Sequence, residues 1–141
     1  MGESVQEIKR FNRFYLRMMG LFSLYTDQSS YSATEVMILF EIYSSKKCTA
    51  SFLSEHFLFD KGYISRMVKK FQQKNVIEKV ASEEDRRIQY LQVTEKGLKD
   101  LNVLAKKADL SVKSMIKDIS QEDLKVMIDS MRKIEDVLEG K

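Results

Sequence analysis

The feature that most constrains this 141-residue chain is a change of period near residue 75. Between residues 32 and 75 apolar side chains recur every three or four positions, as in helices, whereas residues 76–93 turn β-rich around one polar hexapeptide. Ser32-Ala33-Thr34-Glu35 is a capping box, its hydroxyl and carboxylate satisfying free N–H groups at a helix start. The helix it opens is expected to bury Val36, Leu39, Phe40 and Tyr43 and to stop near residues 44–47. A short helix follows from about Thr49, with Phe52, Leu53 and Phe57 on its apolar side. Asp60 caps a third helix running to about Asn75, with Ile64, Val68 and Phe71 inward and Met67 flanking. Residues 76–81 and 88–93 then read as a two-stranded hairpin, with Ser82-Glu83-Glu84-Asp85-Arg86-Arg87 as its charged tip.

Long helices flank this centre. Val5, Ile8, Phe11, Tyr15, Met18, Phe22 and Tyr25 keep helical spacing, and Phe14, Met19, Leu21 and Leu24 add a second stripe. That apolar face is wider than one core requires, so the helix is either central to the core or shared with a partner chain. Thr94 caps a helix carrying Leu98, Leu101, Leu104, Ala105, Ala108, Val112, Met115 and Ile119. Ser120 starts a last one with Leu124, Met127, Ile128, Met131, Ile134 and Leu138. The predicted fold class is mainly α with a small β-hairpin: four helices, the hairpin, then two more. Zero prolines suit long, uninterrupted helices.

Catalytic chemistry has little to stand on. One cysteine and one histidine leave too few ligands for a metal site. Phosphate-cradling glycine motifs and the G-x-S-x-G elbow are absent from the sequence. No enzyme activity, cofactor or metal is therefore expected. No run of eighteen apolar residues offers a membrane span, and residues 1–10 carry acids without the apolar core of a signal peptide. Gln6 stands where the myristoylation pattern wants Ser or Thr. The expected partners include no membrane, and the expected location is the cytoplasm.

Charge distribution says more than the net +3. Residues 61–74 hold Lys61, Arg66, Lys69, Lys70 and Lys74 with no acid, while residues 118–141 hold four bases and seven acids. A basic middle and an acidic end point to one face suited to polyanions. Two short helices, the second basic, followed at once by a charged hairpin, make a winged helix-turn-helix. A helix over residues 61–74 is about 21 Å long and fits the major groove of duplex DNA. Lys61, Gly62, Tyr63, Ser65, Arg66 and Lys69 lie on its outer or flanking positions. Residues near its start are placed to meet bases, and Lys69, Lys70 and Lys74 to meet phosphates. Gly62 would admit the duplex close to the backbone. Arg86 and Arg87 would enter a minor groove, with Asp85 orienting Arg87. A winged helix that docks protein instead is the alternative.

Residues 53–97 resemble the MarR family of bacterial regulators. The resemblance is carried by DKGYISRMVKKFQQKNVIEK, by the D-x-R of Asp85-Arg86-Arg87, and by VTEKG at residues 93–97, where Val93 replaces a usual leucine. It implies a homodimer that reads an inverted repeat in double-stranded DNA, most simply as a repressor. It places Ser65 and Arg66 in the recognition helix and Asp85 and Arg87 in the wing. The DNA-binding lobe would span about residues 32–94, and residues 1–31 and 95–141 would supply dimerisation helices. The family analogy also implies a pocket for a small aromatic or lipophilic effector among Tyr15, Met18, Met19, Phe22, Phe40 and Tyr43, although core packing accounts equally well for each. Cys48, beside Lys46 and Lys47, reads either as a semi-exposed incidental thiol or as a redox sensor. His56 reads as a packed or surface residue rather than a ligand.

Overall fold

The computed structural model describes residues 1–18 and 31–140. The chain runs α1 (Gly2–Met18), α2 (Ala33–Ser44), α3 (Ala50–Phe57), α4 (Lys61–Gln73), β1 (Ile77–Ala81), β2 (Gln89–Val93), α5 (Glu95–Ile116) and α6 (Gln121–Leu138). This is the order expected from the sequence. Met19, Leu21, Phe22, Leu24 and Tyr25 lie outside the described residues. The chain packs as two units, residues 1–108 and residues 109–141.

The first unit is built on α2 to α4 and the hairpin. Ser32 Oγ accepts from Glu35 N at 3.2 Å and Glu35 Oε1 accepts from Ser32 N at 2.8 Å, closing the capping box that starts α2. The inward stripe of α2 is Val36, Ile38, Leu39 and Ile42. Phe40 and Tyr43, expected in the core, are instead 56% and 54% exposed. The helix is apolar on nearly every side, so spacing alone does not set its rotation, and Ile38 and Ile42 take the inner places.

Thr49 Oγ1 accepts from Phe52 N at 3.0 Å to start α3, and Leu58 ends it in the left-handed region at φ 56°. Leu53 is fully buried, Phe57 half-buried and Phe52 exposed. Ile64, Val68 and Phe71 of α4 face the core as predicted, with Met67 beside it. Each such buried side chain contributes about 1.5–3 kcal/mol. Asn75, at φ 61°, turns the chain out of α4 toward β1.

The strands pair antiparallel with Ile77 opposite Val93 and Lys79 opposite Leu91. Leu91 N also donates to Cys48 O at 2.7 Å, so the α2–α3 connection adds one bridge to the hairpin. The start of α5 is fastened to the same place. Thr94 Oγ1 donates to Asn75 O at 2.7 Å and accepts from Gly97 N at 3.1 Å, while Thr94 N donates to Val76 O at 3.0 Å. Lys96 Nζ donates to Lys74 O at 2.6 Å. Gly97 comes so close that a Cβ there would lie 2.2 Å from Val76 O. Leu101 and Leu104 extend the core along α5, and Tyr31 Oη donates to Asp100 Oδ2 at 2.5 Å.

No residue of α1 is buried, and Val5, Ile8, Phe11, Phe14 and Met18 are exposed while Tyr15 is half-buried. In the second unit Ser120 Oγ accepts from Asp123 N at 3.1 Å to start α6, and α5 has already ended at Ile116, short of the expected Ile119. Leu124, Met127 and Met131 of α6 are half-buried, but Ile128, Ile134 and Leu138 are exposed. Among the described residues, α1 and α6 thus leave much of their apolar stripes exposed.

Candidate nucleic-acid interface

Burying Ile64, Val68 and Phe71 fixes the rotation of α4 and turns Lys61, Ser65, Arg66 and Lys69 into solvent. Asp60 Oδ2 accepts from Gly62 N at 3.1 Å and Tyr63 N at 3.4 Å, satisfying two free donors at the helix start. The outer face carries no acid.

Other predicted residues are more committed to the protein itself. Tyr63 is half-buried, its ring edge-on to Phe59 at 5.1 Å. Lys70 Nζ lies 2.9 Å from Oε2 of buried Glu35. Burial works to raise the Glu35 carboxyl, but the Lys70 ammonium and the Ser32 donor outweigh it and hold the group below its ordinary value. Lys74 Nζ sits 4.4 Å from the Tyr31 ring centroid, a cation–π contact. Burial first, and then the hydrogen bond to Asp100, push the Tyr31 hydroxyl well above its ordinary value.

At the hairpin tip, Asp85 and Arg87 meet as the sequence suggested. Asp85 Oδ1 accepts from Arg87 N at 3.0 Å and Arg87 Nε at 3.1 Å, and Asp85 Oδ2 accepts from Arg87 Nη2 at 3.1 Å. This forked pair holds a guanidinium whose side chain is 90% exposed, and it lowers the Asp85 carboxyl. Buried Ser82 fixes the tip beneath it, its Oγ accepting from Glu84 N at 3.2 Å and Asp85 N at 3.3 Å. Ile88 N donates to Asp85 O at 2.9 Å, and Arg86 is exposed. The tip is thus a preformed projection that holds Arg86 and Arg87 outward beside Glu83, Glu84 and Asp85, rather than a free loop.

Cys48 departs from its expectation. It is 1% exposed rather than semi-exposed, and burial, reinforced by Glu41, pushes its thiol up to about 11. Lys46 and Lys47 do not lower it, because the side chain points into the core while theirs remain outside. A buried, protonated thiol is a poor nucleophile, which removes the physical basis for the redox reading. His56 is stacked on Phe52 at 5.4 Å and edge-on to Phe57 at 4.9 Å, with Nε2 3.7 Å from Glu41 Oε1. Of the residues named for an effector pocket, Met18, Phe40 and Tyr43 are exposed and Tyr15 is half-buried; Met19 and Phe22 lie outside the described residues.

Sequence reasoning missed the second role of Glu35, read only as a capping residue, and the anchoring role of the 93–97 motif. The signal for the first was a carboxylate in phase with Ile38, Leu39 and Ile42; for the second, a glycine inside a helical stretch.

The MarR family model matches residues 31–89, which hold α2, α3, α4, β1 and the hairpin tip. The HTH-type transcriptional regulator MhqR of Bacillus subtilis is 27% identical over 101 residues, covering 72% of this chain and 70% of that protein. BilQ of Clostridioides difficile, also an HTH-type transcriptional regulator, is 28% identical over 123 residues, covering 82% and 81%. The crystal structure of Streptococcus pneumoniae FabT in complex with DNA superposes with a TM-score of 0.76 at 21% identity over 99% of both chains. Apo MarR from E. coli superposes with a TM-score of 0.73 at 16% identity, over 92% of this chain and 94% of that one.

Proposed function

This chain is a winged-helix protein of the MarR family, and from that premise we propose that it is a sequence-specific DNA-binding transcriptional regulator, not an enzyme. In this reading it binds a pseudo-palindromic operator as a homodimer and represses by occupying it. The lobe of residues 32–94 reads DNA, and residues 1–31 and 95–141 supply the dimer contacts. The observation that carries the reading is the acid-free outer face of α4, with Lys61, Ser65, Arg66 and Lys69 exposed on one fixed side.

Each residue then has a physical task. Lys61, Ser65 and Arg66 contact bases and set register, with Gly62 and Tyr63 beside them at the helix start. Lys69 and Lys70 meet phosphates, and Arg86 and the Asp85-held Arg87 grip the minor groove. The similarity to the regulators MhqR and BilQ supports a DNA-binding role for the chain, and FabT, solved in complex with DNA, shares its fold. The uncovered apolar stripes of α1 and α6 support the dimer. Two-fold symmetry sets half-sites about one helical turn, near 10 bp, apart. A small aromatic or lipophilic effector releases the operator by favouring lobe spacings that miss the repeat. Such a regulator works in the cytoplasm; among the described residues no helix is long and apolar enough to cross a membrane.

The test is a titration into a labelled duplex from the region upstream of its own gene and into a scrambled duplex, at low and moderate salt. Tight binding at two chains per site, with a preference of at least ~10³, is expected. Equal, weak binding to every duplex, including fragments selected from the whole genome, overturns it.

A further inference from the structure

We infer that Gly62 acts in operator reading through Arg66, as a positioning residue that leaves room for the guanidinium, and not as a gap through which the duplex approaches the backbone. The inference rests on the DNA-binding reading above and deepens it.

The geometry is local to the first turn of α4. A Cβ built on Gly62 would lie 3.3 Å from Arg66 Nη1 and 2.9 Å from Asp60 Oδ2. Arg66 is four residues on, so its side chain runs back along the same face of the helix toward the N-terminus. Its guanidinium therefore stands over the bare Cα of Gly62, on the side of Asp60. Asp60 is itself fixed there, because its Oδ2 accepts from Gly62 N and Tyr63 N. Any side chain at position 62 would press hardest on Asp60 Oδ2 and would shift the tip of Arg66 by a few tenths of an ångström.

Two further observations favour this over a role in backbone approach. Gly62 has no left-handed φ, since the positive-φ residues among those described are Lys47, Leu58, Asn75 and Gly140, so conformation does not require a glycine. Gly62 is also half-buried, under the side chains named above, rather than open to a partner's close approach. A glycine costs up to about 1 kcal/mol against alanine in a helix interior and less in the first turn, so its presence here calls for a steric reason. Arg66 supplies one. A guanidinium reads guanine through two parallel hydrogen bonds, and a displacement of a few tenths of an ångström at its Nη1 end disturbs both.

The experiment is a double-mutant cycle on the full chain: wild type, Gly62→Ala, Arg66→Ala and the double variant. Each is titrated with the operator duplex and a scrambled duplex, and thermal midpoints show that all four are folded. Gly62→Ala is expected to lower the operator preference about tenfold or more while leaving scrambled-duplex affinity within about twofold. In the Arg66→Ala background, Gly62→Ala is expected to change the preference less than twofold. Full additivity overturns the inference, because a loss through the Asp60 cap or through duplex approach persists without Arg66. An unaltered preference in Arg66→Ala also overturns it. If wild type itself prefers no duplex, the DNA-binding reading fails first and takes this inference with it. Gly62→Ser, with a side chain of similar root, serves as the second variant should Gly62→Ala not fold.

Discussion

Lys70 Nζ, on the helix proposed to read DNA, is 2.9 Å from Glu35 Oε2, on the helix behind it. Glu35 is 4% exposed and the Lys70 side chain is half exposed, so the pair ties a core carboxylate to a surface cation. Removing the cation strands the carboxylate. A fully buried pair would cost 3–5 kcal/mol to break from one side, and solvent access to the lysine reduces this to about 1–3 kcal/mol for Lys70→Ala. In a Glu35→Gln background the same change is expected to cost markedly less, and urea unfolding of the four proteins measures the coupling. Equal costs in both backgrounds would show that the pair contributes nothing. The tie also predicts a difference between neighbouring lysines in DNA titrations. Lys69→Ala should reduce the salt slope by about one, and Lys70→Ala by less, because its charge is already partly compensated.

The same pair sets a pH dependence. The folded protein holds Glu35 below its ordinary value, whereas the unfolded chain does not, so the unfolded chain takes up the proton first as pH falls. Stability from this group is complete above the unfolded value, about 4.3, and is lost as pH falls through the lower folded value. The thermal midpoint of wild type should therefore decline below about pH 5, and Glu35→Gln should show a shallower decline. Identical slopes would mean that the carboxylate is not preferentially charged in the fold. Asp85 is lowered as well, but on an exposed pair, so Asp85→Asn should alter the slope less.

At the hairpin tip, the forked Asp85–Arg87 pair predicts that the two residues work together. Arg87→Ala should cost about 1–3 kcal/mol of operator binding. Asp85→Ala keeps the cation but frees it, so it should weaken operator binding in wild type and have little further effect once Arg87 is gone. Lys69→Ala, by contrast, should weaken operator and scrambled duplexes alike. Binding curves for these variants at two salt concentrations separate the roles, and a uniform loss in Arg87→Ala would remove the arginine from sequence reading.

Much of this molecule was legible because spacing and capping chemistry act locally. The capping box at Ser32, the Asp60 cap, the inward trio Ile64, Val68 and Phe71, and the Asp85–Arg87 pair all depend on residues within a few positions of one another. The failures are non-local. Spacing points Phe40 and Tyr43 inward because α2 is apolar on nearly every side, and only packing against β2 decides its rotation. The charged neighbours of Cys48 in sequence suggest an accessible thiol, while a backbone bridge to Leu91, forty-three positions on, draws it into the core. Lys70 sits on the basic face that its spacing predicts, but Glu35, thirty-five positions earlier, claims part of its charge.

Burial makes Cys48 a test of the fold. With the thiol raised to about 11 and 1% exposed, alkylation of the folded protein at neutral pH should be slower than that of the urea-unfolded chain by orders of magnitude. DNA affinity should accordingly be unchanged after brief peroxide treatment, in wild type as in Cys48→Ser. Rapid labelling of the native protein, or a loss of affinity that Cys48→Ser prevents, would reopen the redox reading.

Gly97 makes the strongest steric prediction. The start of α5 lies against the turn that leaves α4, held by Thr94 on Asn75 O and Val76 O and by Lys96 on Lys74 O. A methyl at position 97 would meet Val76 O at 2.2 Å and Val93 Cγ1 at 2.7 Å, and the first of these is backbone inside the hairpin's base. Neither neighbour is the loose end of a long side chain, so the strain cannot be relieved by a rotamer change. Alanine's helix preference over glycine, worth at most about 1 kcal/mol, works in the opposite direction. Overpacking of this kind costs about 1–3 kcal/mol, so Gly97→Ala should be destabilising despite its position in a helix. Gly2→Ala, where nothing lies within 4 Å of the added carbon, is the matched control and should be neutral or slightly stabilising. Urea midpoints for the two variants decide the matter. If Gly97→Ala is as stable as wild type, the seam between α5 and the hairpin is looser than the hydrogen bonds of Thr94 and Lys96 imply, and the anchoring role given to the 93–97 motif fails.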